Sequence, residues 1–191
     1  MDADPWLERW LPLIAERIGA PPILELGCGV GLDTQTLAGA GHKIVAIDRA
    51  PLALADAKSR VPTAEFHRQD IRDPFPVAGP VNIVVASLSL HYFPWFETQA
   101  IVTRIRAAMM PGGVLLFRAN STEDHHYGAS GYPEIEKNYY AVDGESKRFF
   151  DHAAIETLFA TGWHARHVEE RVIHRYTLPK VVWEVILEKT A

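Results

Sequence analysis

The run Glu25-Leu26-Gly27-Cys28-Gly29-Val30-Gly31 constrains the fold of this chain more than any other stretch. It follows ILEL (Ile23 to Leu26), a short apolar segment that reads as a buried strand, and precedes Leu32 to Ala40, which has helical spacing. Glycines at alternate positions permit a tight turn and let a ligand approach backbone amides at a helix start. A buried strand that turns sharply into a helix is the opening unit of an α/β fold.

The rest of the chain repeats that unit. Trp6, Leu7, Trp10, Leu11, Ile14 and Ile18 recur at three- and four-residue spacing and predict an N-terminal amphipathic helix within residues 1–22. After the glycine run, KIVAID (Lys43 to Asp48) is a strand, Ala50 to Arg60 a helix and Thr63 to Arg68 a strand. Val81 to Ser87 gives a fourth strand, Trp95 to Met110 a long helix stopped by Pro111-Gly112-Gly113, and Val114 to Asn120 a fifth strand. Residues 121–150 have weak periodicity and six aromatics, so they are expected to be an ordered but irregular lid. A helix from Asp151 to Thr161 and two strand-like runs, His164 to Tyr176 and Lys180 to Lys189, close the chain as an antiparallel hairpin. The expected fold is one α/β domain over residues 1–191, with a mostly parallel sheet covered by helices on both faces.

Composition narrows the partners. The net charge of −5 arises from interspersed acids and bases, and no basic stripe could neutralise several phosphates, so nucleic acid is not an expected partner. No apolar run reaches the roughly 20 residues that span a bilayer, and the acidic start MDADPWLERW is unlike a secretory signal. The single cysteine, Cys28, forms no internal disulfide, which suits a reducing cytoplasm.

The glycine run carries the chemistry. Its G-x-G-x-G spacing differs from the G-x-G-x-x-G of dinucleotide-binding turns, and Glu25 stands two residues before the first glycine. Amides facing a carboxylate with Glu25 near an ammonium suit a zwitterionic amino-acid end better than a pyrophosphate. Asp48, at the end of the second strand, is placed to accept hydrogen bonds from ribose hydroxyls.

These residues resemble the class I S-adenosylmethionine-dependent methyltransferases. ELGCGVGLDTQTLA is similar to the family's first motif, AIDRAP to its ribose turn, HRQDIRD to its adenine turn, NIVVASLSLHYF to the strand facing the reacting centre, and MMPGGVLLF to its Pro-Gly-Gly strand entry. The small size is similar to that of bacterial tellurite-resistance-type methyltransferases. The resemblance implies a Rossmann-like fold with a seven-stranded, mostly parallel sheet and a reversed final strand. It implies S-adenosylmethionine as cofactor, S-adenosylhomocysteine as product and a small-molecule acceptor. Glu25, Gly27, Cys28, Gly29 and Gly31 would surround the methionine end, Asp48 and Arg49 the ribose, and Asp70 and Ile71 the adenine, with Ser87 and Leu88 beside the cofactor.

Other candidates follow from position. His91 and Tyr92, after the fourth strand at the ligand-binding edge, are the expected catalytic pair if a base is used; packing is the alternative. Arg118 and Asn120 share a strand face and, with Tyr127, Tyr139 and Tyr140 of the lid, are the expected acceptor contacts; for Arg118 an internal salt bridge to a lid acid is the alternative. Cys28, held between glycines, is not expected to be a nucleophile. Asp124-His125-His126 is not expected to bind metal. Because every cofactor motif precedes residue 121, the lid is expected to face the acceptor alone. A nicotinamide-dependent oxidoreductase and a non-catalytic nucleoside-binding regulator remain the competing readings.

Overall fold

The computed structural model describes residues 4–191. Its centre is a seven-stranded sheet of order β3-β2-β1-β4-β5-β10-β9, formed by β1 (Ile23–Leu26), β2 (Ile44–Asp48), β3 (Glu65–Arg68), β4 (Val81–Ser87), β5 (Met109–Asn120), β9 (Trp163–Ile173) and β10 (Lys180–Lys189). The first five strands pair in parallel. β10 runs antiparallel between β5 and β9.

Burial on both faces explains why β1 reads as an unbroken run: all four of its residues are buried. Ile23 joins a core formed with Trp6, Leu7, Ile14 of α1 (Leu11–Arg17), Leu37 of α2 (Leu32–Gly39) and Leu54 of α3 (Pro51–Arg60). Leu24 and Leu26 point to the other face, against Ile101 and Ile105 of α4 (Trp95–Ala107) and Ile155 and Leu158 of α5 (His152–Leu158). Asp151 caps α5 by accepting a hydrogen bond from the Ala154 amide at 2.7 Å.

Three elements differ from the sequence reading. The N-terminal helix is split, with a tighter turn of helix at Trp6–Trp10 before α1. The Pro111-Gly112-Gly113 run does not stop α4, which ends at Ala107; it lies inside β5 as an irregularity in the pairing with β4. A Cβ on Gly113 would come within 2.9 Å of the Asn82 and Met110 carbonyl oxygens, so a close backbone approach explains that glycine. Residues 121–150 are irregular only in their first part: within 134–148, β6 (Glu134–Glu136), β7 (Tyr139–Val142) and β8 (Glu145–Arg148) form a small antiparallel sheet. No helix among the described residues is long and apolar enough to cross a membrane.

Candidate active site

Strand order reverses between β1 and β4, and the carboxyl edge at such a point is where open α/β sheets bind ligands. Gly27, Gly29 and Gly31 all have positive φ, but they serve different ends. A Cβ on Gly27 would collide with Ser89, and one on Gly31 would lie 2.9 Å from Ala57 Cβ, so these two permit packing. A Cβ on Gly29 would meet nothing within 4 Å. Only there does the missing side chain leave open space. Asp48 fixes this loop: its Oδ2 accepts from the Gly29 amide and its Oδ1 from the Ala50 amide, each at 2.8 Å.

The open space belongs to a cavity of about 310 Å3. Of the residues expected to meet the cofactor, Gly27, Gly29, Asp48, Arg49, Asp70, Ile71 and Leu88 line it, and Tyr92 joins them. Gln69, Ser89, Phe93 and Glu145 line it too, and sequence reasoning missed them. Leu88 has φ 53, a rare conformation for a branched residue, and this turn at the strand end places Ser89 rather than Ser87 over Gly27. Ser87 is instead occupied by Arg118, whose Nε donates to its Oγ at 3.0 Å. Asp70 lines the wall, but both its oxygens accept from the Arg72 guanidinium at 2.9 Å, which holds its carboxyl below the usual range.

Three expected loop contacts lie beneath the cavity rather than in its wall. Gly31 packs on α3, Cys28 is buried, and Glu25 is 3% exposed. Burial pushes the Cys28 thiol up, away from a nucleophilic thiolate. Glu25 accepts a 2.6 Å hydrogen bond from Thr34 Oγ1, and burial, reinforced by the charges of Asp33 and Asp48, pushes its carboxyl up to about 8.

The turn Leu90–Tyr92 follows β4. His91 is buried against the Tyr92 ring, with ring centroids 4.1 Å apart, and its Nδ1 has no partner among the described residues. Burial lowers its pKa to about 3, with the charges of Lys180 and Lys147 adding to the effect. It is therefore neutral at neutral pH and a weak base. Tyr92 lines the cavity, its phenol pushed up by burial and by the charge of Glu145.

Acceptor candidates scatter. Arg118 is buried, ion-paired with Asp4 and stacked over Trp6 at 4.3 Å; its acidic partner is in the N-terminal segment, not the lid. Asn120 is buried with an unpartnered Oδ1 among the described residues. The Tyr127 hydroxyl donates to the Leu178 carbonyl and accepts from the Leu178 amide, and Tyr139 donates to the Tyr92 carbonyl at 3.0 Å. Tyr140 packs on Phe149 within the lid. Between these lies a pair the sequence reading missed, Lys180 Nζ with Asp124 Oδ2 at 2.6 Å, buried beneath the Tyr127 and Tyr176 rings. Asp124 is thus a salt-bridge residue; His125 and His126 sit in the turn His125–Tyr127. Among the described residues, no group of three or more His, Cys, Asp or Glu could hold a metal. The lid also reaches the cofactor side, because Glu145 of β8 lines the cavity.

The strand order with its reversed final strand, and a glycine loop opening on an acid-lined cavity, define a class I methyltransferase fold. Residues 23–113 match the family described as "Methyltransferase domain". An uncharacterized methyltransferase of Synechocystis sp. is 32% identical over 56% of this chain and 52% of its own length. Trans-aconitate 2-methyltransferase of Variovorax paradoxus is 34% identical over 50% of this chain and 37% of its own. The chain thus spans about half the length, or less, of these curated relatives. The crystal structure of a SAM-dependent methyltransferase from Methanosarcina mazei superposes with TM-score 0.79, at 16% identity, over 100% of this chain and 99% of that one. The match of residues 23–113 and the likeness of fold over the whole chain both point to the class I S-adenosylmethionine-dependent methyltransferases.

Proposed function

We propose that this chain transfers a methyl group from S-adenosylmethionine to a small-molecule acceptor. The observation that carries the reading is the open space at Gly29 facing Asp48 within one cavity at the strand-order reversal. The residues present fit the cofactor. Each Asp48 oxygen accepts one backbone amide and keeps a lone pair for a ribose hydroxyl. Gln69, the Ile71 amide and Leu88 suit an adenine edge and face, whereas Asp70 supports that turn through Arg72. Ser89 Oγ, buried and unpartnered among the described residues, is a free polar group over the glycine loop.

S-adenosylmethionine supplies a methyl group already activated on a sulfonium, so the protein's share of the work is positioning. Tyr92 and Phe93 wall the cavity on the side of the lid. Buried His91, its pKa lowered to about 3, takes up no proton at neutral pH. That favours acceptors whose nucleophilic atom already has a free lone pair at neutral pH, such as a carboxylate, over those that need a base.

The test is incubation with S-adenosylmethionine and a panel of small carboxylates, amines, phenols and thiols, with S-adenosylhomocysteine measured. Turnover concentrated among the carboxylates supports the reading. Tight S-adenosylmethionine binding without turnover on any class would favour a non-catalytic nucleoside-binding role.

A further inference from the structure

Resting on that reading, we infer that Arg148 is a positioning residue that couples the lid to the cofactor cavity through the turn after β4. Arg148 is only 4% exposed although it lies in the surface sheet of the lid. Burying a guanidinium is costly unless its donors are used. Here they are shared between two parts of the molecule. Arg148 forms an ion pair with Glu136 and donates through a second guanidinium nitrogen to the Lys137 carbonyl at 3.3 Å, both within the lid. Its Nε donates to the Phe93 carbonyl at 3.2 Å, at the rim of the cofactor cavity. Its Cζ lies 5.4 Å from the Trp95 ring centroid and 4.9 Å from that of Tyr139. Burial lowers its pKa only to about 10, so the charge persists at neutral pH.

The register of the lid makes this clamp informative for the cavity. Tyr139 and Arg148 are directly opposite in the β7–β8 pair, and they hold adjacent backbone carbonyls of the rim, those of Tyr92 and Phe93. At the far end of the same pair Val142 faces Glu145, and Glu145 lines the cavity. Three residues along a strand span roughly 10 Å. The lid sheet is therefore fastened to the rim at one end and forms cavity wall at the other. Glu136 extends the fastening by accepting from the Trp95 amide at 2.5 Å, at the opening of α4. A ligand that settles Tyr92, Phe93 and Glu145 must also favour the docked lid, and by linkage the docked lid must favour that ligand.

The experiment titrates S-adenosylhomocysteine into the wild type, Arg148→Met and Tyr139→Phe, and follows amide hydrogen exchange over residues 134–148 with and without it. Wild type should bind and show slowed exchange in the lid. Arg148→Met should bind about tenfold more weakly, within the usual range of coupling between sites, and its lid should gain no protection on binding. A merely structural role would lower stability without removing that ligand-dependent protection. Tyr139→Phe, which loses one hydroxyl, should weaken binding by about threefold and reduce protection, and it decides the matter if Arg148→Met does not fold. Folded variants that bind as tightly as wild type with full lid protection would overturn the coupling. No binding by the wild type would remove the cofactor reading and the coupling with it.

Discussion

The stretch from Ile23 to Gly113 and the stretch from Ser121 to Lys189 are built by different means. In the first, the candidate site is shaped by backbone: glycines at positive φ, a strand end at Asp48, a turn at Leu88. In the second, structure rests on side chains reaching other parts of the chain: Asp124 to Lys180, Arg148 to Glu136, Tyr127 to the Leu178 backbone. A backbone site demands particular residues at fixed spacing, whereas a side-chain pair leaves almost no local trace. The cofactor half is accordingly the half shared with the family match.

If that contrast is right, mutations in the two stretches should fail differently. The largest effect is expected for Lys180→Met, which leaves Asp124 charged and buried and should cost about 3–5 kcal/mol of stability in a denaturant melt. Replacing Asp124 by Asn in the same chain should recover much of that loss, because the uncompensated charge is gone. S-adenosylhomocysteine affinity of the folded fraction should change little in either variant.

Gly29→Val should do the reverse. Its side chain would occupy the open space of the cavity, so binding should fall at least about 100-fold, or roughly 2.7 kcal/mol. Stability should drop by only about 1–2 kcal/mol, the cost of a left-handed conformation for a side chain. Retained binding would break the claim that this half works through backbone.

Asp48→Ala should come next, weakening binding by about 1–3 kcal/mol by calorimetry. It removes the acceptor for the Gly29 and Ala50 amides as well as any ribose contact, so Asp48→Asn, which keeps one acceptor oxygen, should lose less.

A further effect concerns pH. Glu25 has a folded pKa of about 8 against 4.5 for an unperturbed carboxyl. The folded chain then keeps a proton that the unfolded chain releases, so this stabilisation is complete below about pH 4.5 and is lost as pH rises toward 8. Glu25→Gln should flatten that decline, whose slope is at most about 1.4 kcal/mol per pH unit. Melts between pH 5 and 8 measure it. For His91 the sign is opposite. Its folded pKa of about 3 lies below the 6.5 of a free imidazole, so stability falls as pH drops from 6.5 toward 3.

These differences also explain what could be read beforehand. The order of strands and helices through Asn120, the glycine loop, Asp48 and the closing hairpin were legible because apolar periodicity and turn chemistry are local. The Pro-Gly-Gly run misled because a bulge inside β5 and a helix stop use the same residues. The small sheet of the lid was hidden because its strands are three and four residues long and largely exposed on one side. Arg118 was legible as a charged group on a buried strand, but its partner Asp4 lies 114 residues away in sequence. The sequence points to Ser87 and is silent on Ser89, because only the backbone turn at Leu88 decides which serine faces the loop.

The central claim is that the cavity beside Gly29 and Asp48 seats S-adenosylmethionine. Titration calorimetry of the wild-type chain with S-adenosylhomocysteine and, separately, with NAD tests it most directly. The account predicts one-to-one binding of S-adenosylhomocysteine that Gly29→Val abolishes, and no binding of NAD. Binding of NAD with none of S-adenosylhomocysteine, or S-adenosylhomocysteine binding that Gly29→Val leaves intact, would contradict it.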